Sequence, residues 1–327
     1  MKTLKIGVIG TGHMGRNHVR NFSEEKRFDF VGLYDSNTEM AKFLAEKYDV
    51  KAFESIDGLL ENVEAVTIAV PSSKHKEIAL AAAEHGVHAL VEKPLATTSE
   101  DAEEITNVFR KRNLKLTVGH IERFNPVFRE LQKLVKDEEI FFIETNRYSP
   151  FSNSGHITDT SVVEDLMIHD VDLVCALMTE GGGKKLTSIH GRGETIRSGQ
   201  TDFATCLMDF GGQAHAVVNV SRISQNKERL ITVHTANSCI CADLLAKTLN
   251  IYKSTNLTVD LSRDNSYVQD GLVQRVYVPI EEPLRAELIA FYESVVNGAP
   301  IKTDGAAGIN AIKICEEVAN RAKMQRL

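Results

Sequence analysis

The first third of the chain alternates short apolar segments with amphipathic ones, and this alternation limits the folds available to it. The apolar segments are KIGVIG (5–10), FVGLYD (30–35), AVTIAVP (65–71), VHALVEKP (87–94) and LKLTVGH (114–120). Segments with helical periodicity separate them. Strands that are apolar on both faces and alternate with helices form a parallel sheet covered on both sides. We therefore predict a doubly wound parallel sheet over residues 1–120.

From residue 121 the pattern changes to strands of alternating polarity. The segment ATCLMDFGGQAHAVVNVS is typical of two antiparallel strands joined at Gly211-Gly212. Helical patterns occur at 125–137, 163–178, 283–297 and 305–325. We predict a C-terminal α/β domain over residues 121–327 with a large, mainly antiparallel open sheet, and we expect the last helix to pack back on the first domain.

Composition narrows the class of protein. A chain of 327 residues is too long for one ordinary hydrophobic core, so two domains are expected. Its net charge of −7 argues against nucleic acid or an anionic membrane as the main partner. No apolar run approaches the roughly 20 residues that span a bilayer, and the chain starts directly with a strand rather than a signal peptide. Five cysteines without a CxxC spacing indicate reduced thiols in the cytoplasm. We expect Cys239 and Cys241 to pack in the core rather than bind metal, and we predict no metal site.

A glycine-rich turn follows the first strand and opens a helix. In Gly10-Thr-Gly12-His-Met-Gly15, Gly10 permits a tight turn, Gly12 lets the backbone approach a pyrophosphate, and Gly15 allows close helix–strand packing. Asp35 ends the second strand 20 residues after Gly15. Its carboxylate can accept hydrogen bonds from both ribose hydroxyls and would repel a 2′-phosphate. The pattern predicts an N-terminal Rossmann domain that prefers NAD to NADP. Ser36 and Asn37 add no arginine that would reverse this preference.

Two later strand ends are expected at the same crevice, because ligands of such sheets bind beyond the carboxyl ends of the strands. One carries Pro71 and Ser72, with His75 at the start of the next helix. The other carries Glu92 and Lys93. Taken alone, Lys93 is as consistent with a surface cation as with a site residue.

The segment VEDLMIHDVDLV (163–174) concentrates acids and a histidine within an apolar run. At about 100° per residue, Asp165, His169 and Asp172 fall on one stripe of a helix. The opposite side is apolar, yet it includes Asp170, which then requires a buried partner. An acid–imidazole row of this kind suits proton transfer, although a satisfied interfacial histidine is the commoner situation.

Together, GTGHMG, AVPSSKH, EKP and the D-x-x-x-H of Asp165 and His169 resemble the glucose–fructose oxidoreductase / inositol dehydrogenase / MocA family. The resemblance implies a Rossmann domain, a second domain with an open sheet, and NAD(P)-dependent oxidation of a sugar or cyclitol hydroxyl. It also implies homodimers or homotetramers formed through the exposed sheet face, and a cis peptide before Pro94. The family's catalytic lysine, aspartate and histidine correspond to Lys93, Asp165 and His169.

The chemistry of these side chains is consistent with those roles. Removing hydride from a secondary alcohol requires loss of the hydroxyl proton. A neutral imidazole such as that of His169 is well suited to accept this proton. Asp165 would fix the ring tautomer, and Lys93 would stabilise developing alkoxide charge. Gly12, His13 and Met14 would hold the dinucleotide with its nicotinamide against the substrate carbon.

A narrower resemblance concerns the substrate. Residues 118–126 and 149–174 resemble the branch that oxidises the 3-hydroxyl of UDP-N-acetylglucosamine to the 3-keto sugar. Inositol and glucose members tend to have glycine-rich sequence before the catalytic aspartate, where this chain has TSVVED. Candidate substrate-side residues, each equally consistent with a solvated loop, are Arg123, Asn125, Arg147, Tyr148 and His156.

Two alternatives remain open from the sequence. The chain is also consistent with a dehydrogenase of free polyols or sugars. A regulator that senses NAD without catalysis would keep the glycine turn and lose the proton-transfer residues, and the presence of Lys93, Asp165 and His169 together argues against it.

Overall fold

The computed structural model describes residues 2–151, 160–259 and 267–324, without the side chains of residues 254–259, 267–270 and 322–324. Contacts between Cα atoms divide the chain into two compact units. The first comprises Met1–Phe124 and Glu281–Lys313, and the second comprises Asn125–Ile280 and Ile314–Leu327. Within the described residues, no helix is both long enough and apolar enough to cross a membrane.

The first unit contains the predicted parallel sheet. Its elements up to residue 124 are β1 (Leu4–Ile9), α1 (His13–Glu24), β2 (Phe28–Tyr34), α2 (Thr38–Tyr48), β3 (Lys51–Ala52), α3 (Ile56–Leu60), β4 (Ala65–Ile68), α4 (His75–Glu84), β5 (His88–Glu92), α5 (Ser99–Lys111) and β6 (Leu116–Gly119). The strands lie in the order β3-β2-β1-β4-β5-β6 and pair in parallel. This confirms the prediction of a doubly wound Rossmann sheet. The two-residue β3 was missed because it is too short to produce a pattern.

The second unit contains a larger, mainly antiparallel sheet. Its elements are α6 (Pro126–Val135), β7 (Ile140–Tyr148), α7 (Ile168–Cys175), β8 (Ser188–Glu194), β9 (Phe203–Asp209), β10 (His215–Ser221), β11 (Glu228–Thr235), β12 (Cys239–Asp243), β13 (Thr248–Val259) and β14 (Tyr267–Arg275). The eight strands lie in the order β14-β13-β12-β11-β7-β10-β9-β8. All neighbours pair antiparallel except β7 with β10. The mixed α/β fold class is therefore confirmed, including the β9–β10 hairpin.

The chain ends with two helices, α8 (Pro283–Val296) and α9 (Gly305–Met324). Helix α8 belongs to the core of the first unit, where the ring of Tyr292 packs edge-on against Phe28 with centroids 5.8 Å apart. The hydroxyl of Tyr292 donates to the carbonyl of Lys2 at 2.5 Å. The turn of α9 at Val318 approaches β8 of the second unit closely, since a Cβ at Gly191 would lie 2.8 Å from its Cγ1 atom.

The acid-rich segment is helical but is not the uniform α-helix that we predicted. A π-helical turn (Val163–Met167) precedes α7 and a second (Ala176–Gly181) follows it. Because π turns bond residue i to i+5, the rotation of about 100° per residue does not hold across them. Asp165 and His169 are half-buried and Asp172 is only 2% exposed, so the three side chains do not form an exposed polar edge.

The buried partner that Asp170 requires is Arg147 on β7. The Nε and Nη2 atoms of Arg147 donate to the two carboxylate oxygens of Asp170 at 2.7 and 3.1 Å, and both residues are 2% exposed. Arg147, which the sequence suggested as a substrate-side residue, is instead committed to a buried ion pair. The pair joins α7 to the sheet.

Cys239 and Cys241 do not lie in the core, so that expectation is wrong. On β12 the fully buried side chains are Ile240 and Ala242, and the two cysteines are half-buried on the opposite side of the strand. Helices α6 and α7 pack on the sheet, and α7 contacts β7 on the face that carries Arg147. The cysteines belong to the other face, which we call the open face.

We expect Asp170→Ala to lower the free energy of unfolding by about 3–5 kcal/mol, because it leaves the guanidinium of Arg147 buried without this counter-ion. The double variant Arg147→Met/Asp170→Leu should be less destabilised than Asp170→Ala, since it removes both charges. Urea unfolding followed by circular dichroism measures both. Equal destabilisation of the single and double variants would contradict this account of the pair.

Candidate functional site

The glycine-rich turn between β1 and α1 is shaped by close backbone contacts. Gly10 has a φ of 92°, and a Cβ there would lie 2.5 Å from the carbonyl oxygen of Ala69. A Cβ at Gly15 would lie 1.9 Å from the carbonyl oxygen of Gly10. Both positions therefore exclude any side chain for reasons internal to the fold.

Gly12 differs from its two neighbours. A Cβ at this position would meet no protein atom within 4 Å, and its φ of −65° is accessible to other residues. Gly12 is also the N-cap residue of α1, where backbone N–H groups point out of the helix. An open approach to a helix N-terminus is what a phosphate group requires.

Asp35 lies beyond the end of β2, beside the glycine turn. Its Oδ2 atom accepts hydrogen bonds from the backbone N–H and the hydroxyl of Thr11 at 2.5 and 2.7 Å, and Oδ1 accepts from the N–H of Asn37 at 2.8 Å. Burial disfavours the charged form, but the hydrogen bonds from Asn37 and Thr11 outweigh it and hold the pKa of Asp35 below its usual value. The side chain is therefore an anionic acceptor at neutral pH.

A cavity of about 700 Å³ lies along the carboxyl edge of the parallel sheet. Eight of its lining residues are ones that the sequence indicated: Gly10, Gly12, Met14, Asp35, Ser36, Pro71, Glu92 and Lys93. The sequence did not indicate Tyr34, Ile56, Ala69, Val70, Lys74, Glu77 or Ile78, which also line it. Four predicted cofactor residues are not among the lining residues: His13, Gly15, Ser72 and His75.

The cavity suits a dinucleotide. Its walls include the Asp35 carboxylate, which can accept hydrogen bonds from a ribose, the open helix N-terminus at Gly12, and the strand end at Lys93. Because β2, β1, β4 and β5 are consecutive in the sheet, these groups follow one another along the edge. NAD would place its adenosine ribose at Asp35, its pyrophosphate at Gly12 and its nicotinamide half towards Lys93.

Two buried histidines support the β4 and β5 ends of this cavity. His75 is 1% exposed, and its Nδ1 and Nε2 atoms lie 2.7 Å from the carbonyl oxygen of Pro94 and 2.9 Å from that of Val70. The Nε2 atom of His18 lies 2.7 Å from Oε1 of Glu92. The peptide bond between Lys93 and Pro94 is cis, as the family resemblance implied. His18 escaped the sequence analysis because its partner is 74 positions away.

In the second unit, the turn that carries Asp165 begins with a capping box. The hydroxyl of Ser161 accepts from the N–H of Glu164 at 3.4 Å, and the carboxylate of Glu164 accepts from the N–H of Ser161 at 3.2 Å. This reciprocal pair fixes the start of the helix. Asp165 follows directly, and His169 lies four positions further along the helix.

A buried arginine that the sequence did not indicate lies near Asp165. Arg222 is 3% exposed and donates from Nη2 to the carbonyl of Thr160 at 2.6 Å. Burial lowers the pKa of Arg222, while the charges of Asp165 and Asp202 oppose that effect. The start of the helix therefore has a positive charge beside its candidate catalytic carboxylate.

The remaining predicted substrate residues lie at separate places. Asn125 caps α6 by accepting from the N–H of Val127 at 3.1 Å, and Tyr148 donates to Oδ1 of Asn146 at 2.9 Å on the open face. Burial, with nearby Glu228 and Glu144, raises the pKa of Tyr148.

Arg123 belongs to the first unit, where it is 5% exposed and donates to the carbonyl of Lys302 at 3.5 Å. His156 lies outside the described residues. The structure does not bring Tyr148 together with Asp165 and His169, because α7 packs on the opposite face of the sheet.

Comparison with known proteins identifies related families and structures. Residues 4–120 match the model described as "Oxidoreductase family, NAD-binding Rossmann fold", and residues 128–240 match the GFO/IDH/MocA C-terminal domain. The chain is 30% identical to UDP-N-acetylglucosamine 3-dehydrogenase of Acidithiobacillus ferrooxidans, with 99% of each chain covered. The crystal structure of that enzyme matches with a TM-score of 0.88 over 99% of both chains. The inositol 2-dehydrogenase of Rhizobium meliloti is 20% identical, over 99% of this chain and 98% of the relative.

We expect Gly12→Ala to lower affinity for NAD by about tenfold or more while leaving the melting temperature unchanged, because its Cβ meets only the space that the pyrophosphate would occupy. Gly15→Ala should instead lower stability, by at least the roughly 1–3 kcal/mol of an overpacked core. Calorimetric titration with NAD and thermal unfolding measure the two effects. Unchanged NAD affinity in Gly12→Ala would show that the dinucleotide does not approach this turn.

Proposed function

The chain belongs to the GFO/IDH/MocA family of NAD-binding oxidoreductases, and from this we propose that it oxidises the 3-hydroxyl of UDP-N-acetylglucosamine to the 3-keto sugar in the cytoplasm. In this proposal residues 1–120 bind NAD and residues 121–327 bind the sugar. NAD rather than NADP is the cofactor, consistent with the anionic Asp35 in the cavity wall.

One observation carries the cofactor half of the proposal. Lys93 lines the same cavity as Gly12 and Asp35. In this proposal its ammonium group would lie at the nicotinamide half of the dinucleotide. A cation at that place can stabilise negative charge that develops on a substrate oxygen as hydride leaves its carbon. NAD supplies a hydride acceptor at C4 of its nicotinamide when bound.

The sugar itself is inferred from similarity. UDP-N-acetylglucosamine 3-dehydrogenase covers 99% of this chain, and its fold matches over the same length. The segment that ends at Asp165, TSVVED, lacks the glycine-rich sequence that inositol and glucose members tend to have before this aspartate. Both points favour a nucleotide sugar over a free polyol.

The proton is assigned to His169. In this proposal His169 would accept the proton of the substrate hydroxyl while bound NAD takes up the hydride, which leaves the carbon as a ketone. Asp165 would hold the imidazole in the required tautomer and stabilise the imidazolium. The capping box of Ser161 and Glu164 and the hydrogen bond of Arg222 to Thr160 fix the start of the turn that carries Asp165.

The test is turnover of a panel of UDP-sugars, free glucose and myo-inositol with NAD, with the ketone trapped chemically because the equilibrium favours the alcohol. UDP-N-acetylglucosamine should give a 3-keto product. His169→Ala and Lys93→Ala should each lower kcat by about 10²–10⁴-fold, as expected for loss of a proton acceptor or of charge stabilisation.

His190→Ala is the matched control, because His190 is an exposed histidine on β8 of the same unit. It should retain wild-type activity. If only myo-inositol or glucose is oxidised, the substrate is a free polyol or sugar and not a nucleotide sugar. Tight NAD binding without oxidation of any sugar would favour the sensing regulator.

We further propose that two or four copies of the chain associate through the open face. Across three strands of this face, the ring of Phe142 lies 4.8 Å from that of His215 and 5.5 Å from that of His234. Leu207, Val217 and Glu144 follow in a second row, in which Leu207 is 37% exposed. An ordered mixture of apolar and polar side chains suits a second copy of the same face.

Val217→Arg should shift the protein towards monomer in sedimentation velocity, because it places a cation between Leu207 and Glu144 on the open face. The new guanidinium can pair with Glu144 on the neighbouring strand within one subunit, so folding is expected to be preserved. Gln213→Arg, an exposed change in the preceding turn, serves as control. An unchanged sedimentation coefficient in Val217→Arg would place any interface elsewhere.

A further inference from the structure

Each residue that flanks Lys93 meets a buried imidazole: Glu92 meets His18, and Pro94 meets His75. We propose that His18 and His75 are positioning residues that fix the two neighbours of Lys93, so that its ammonium group keeps one orientation in the cofactor cavity. The inference rests on the proposed function, in which Lys93 stabilises charge on the oxidised hydroxyl.

His18 holds the carboxylate of Glu92. It lies on the buried face of α1 beside Val19 and Phe22, and its side chain is 0% exposed. Nε2 lies 2.7 Å from Oε1 of Glu92, whereas Nδ1 has no hydrogen-bond partner among the described residues. A ring with its proton on Nε2 and a lone pair on Nδ1 satisfies both observations. His18 is therefore a donor that fixes the Glu92 side chain.

Gly119 closes the other side of Glu92. The two residues are paired between β5 and β6, and a Cβ at Gly119 would lie 2.8 Å from Oε2 of Glu92 and 3.0 Å from its Cα atom. The carboxylate thus occupies a slot that exists only because position 119 has no side chain. Helix α1 and strand β6 together leave Glu92 one arrangement.

His75 joins the ends of β4 and β5. Its ring lies between the carbonyl oxygens of Pro94 and Val70, at 2.7 and 2.9 Å from its two nitrogens. Burial lowers the pKa of His75, although the two carbonyls and Glu92 act in the opposite direction. A neutral ring donates to one of the carbonyls and a protonated ring donates to both, so the imidazole links the two loops in either state.

The two contacts act on the residues directly before and after Lys93. Neither histidine lines the cavity, whereas Glu92, Lys93 and Val70 do. Both imidazoles therefore act through the backbone and the Glu92 carboxylate rather than on the cofactor. A misplacement of about 1 Å at a reacting group can lower a rate by about 10²-fold.

The test compares His18→Leu, His18→Gln and His75→Phe in the full-length enzyme with NAD and UDP-N-acetylglucosamine. His18→Leu and His75→Phe should lower kcat by about 10²-fold. Affinity for NAD should change by less than about threefold, because Gly12 and Asp35 are untouched. His18→Gln should recover most of the activity, since its amide N–H can donate to Glu92 from nearly the same place as Nε2.

His85→Leu is the matched control, an exposed histidine at the far end of α4 that should leave kcat unchanged. Should His18→Leu fail to fold, Gly119→Ala displaces Glu92 while keeping His18, and it should lower kcat in the same way. The proposal is overturned if folded His18→Leu or Gly119→Ala has the kcat of His85→Leu, or if His18→Gln is no more active than His18→Leu.

A second readout is independent of sugar oxidation. Lysines are converted to ¹³C-dimethyl-lysine, and the NMR signal of Lys93 is assigned by its loss in Lys93→Arg. Saturating NAD should shift this signal in the wild type and shift it much less in His18→Leu. If no sugar is oxidised, the proposed function fails while this comparison still decides the positioning role. Equal shifts in both proteins would refute it.

Discussion

The cofactor half of the molecule depends on the approach of the backbone at Gly10 to the backbone at Gly15 and Ala69. These contacts leave no room for a Cβ atom, so β1, β4 and the first turn of α1 meet at one point of the sheet edge. Gly12, between the two tight positions, is free of such contacts and faces open space. The same turn thus separates a requirement of folding from a requirement of binding, and Thr11 within it also fixes the carboxylate of Asp35.

In the second unit, buried charged side chains hold the helix that carries the candidate catalytic residues. Its helix is interrupted by π turns, so its position on the sheet relies on the buried ion pair between Arg147 and Asp170 rather than on regular packing alone. Arg222 and the capping box fix the turn that carries Asp165. Charged groups thus lie where apolar side chains would pack in an ordinary helix–sheet contact. The positions of Asp165 and His169 therefore depend on the hydrogen bonds that these buried charged groups make.

Sequence patterns predicted those parts of the site that follow from chain direction. Gly12, Asp35 and Lys93 were placed at one edge because parallel strands bring their carboxyl ends together. Contacts between distant segments were not predictable in the same way: His18 and Glu92 have no spacing that links them. The need of Asp170 for a buried partner was evident from periodicity, but Arg147 as that partner was not. Cys239 and Cys241 were misplaced because alternation defines two faces without saying which one the helices cover.

The contribution of α8 to the first unit bears on how the chain acquires its structure during synthesis. Leu288, Phe291 and Tyr292 complete the core around Phe22 and Phe28, yet they are made only after the whole eight-stranded sheet. Until α8 is synthesised, the side chains of Phe22 and Phe28 in the nascent Rossmann domain lack the helix that covers them. A fragment that stops at Phe124 would keep every residue of the glycine turn and still lack the helix that closes its hydrophobic core, so dissecting the protein at the obvious boundary would leave an incomplete folding unit.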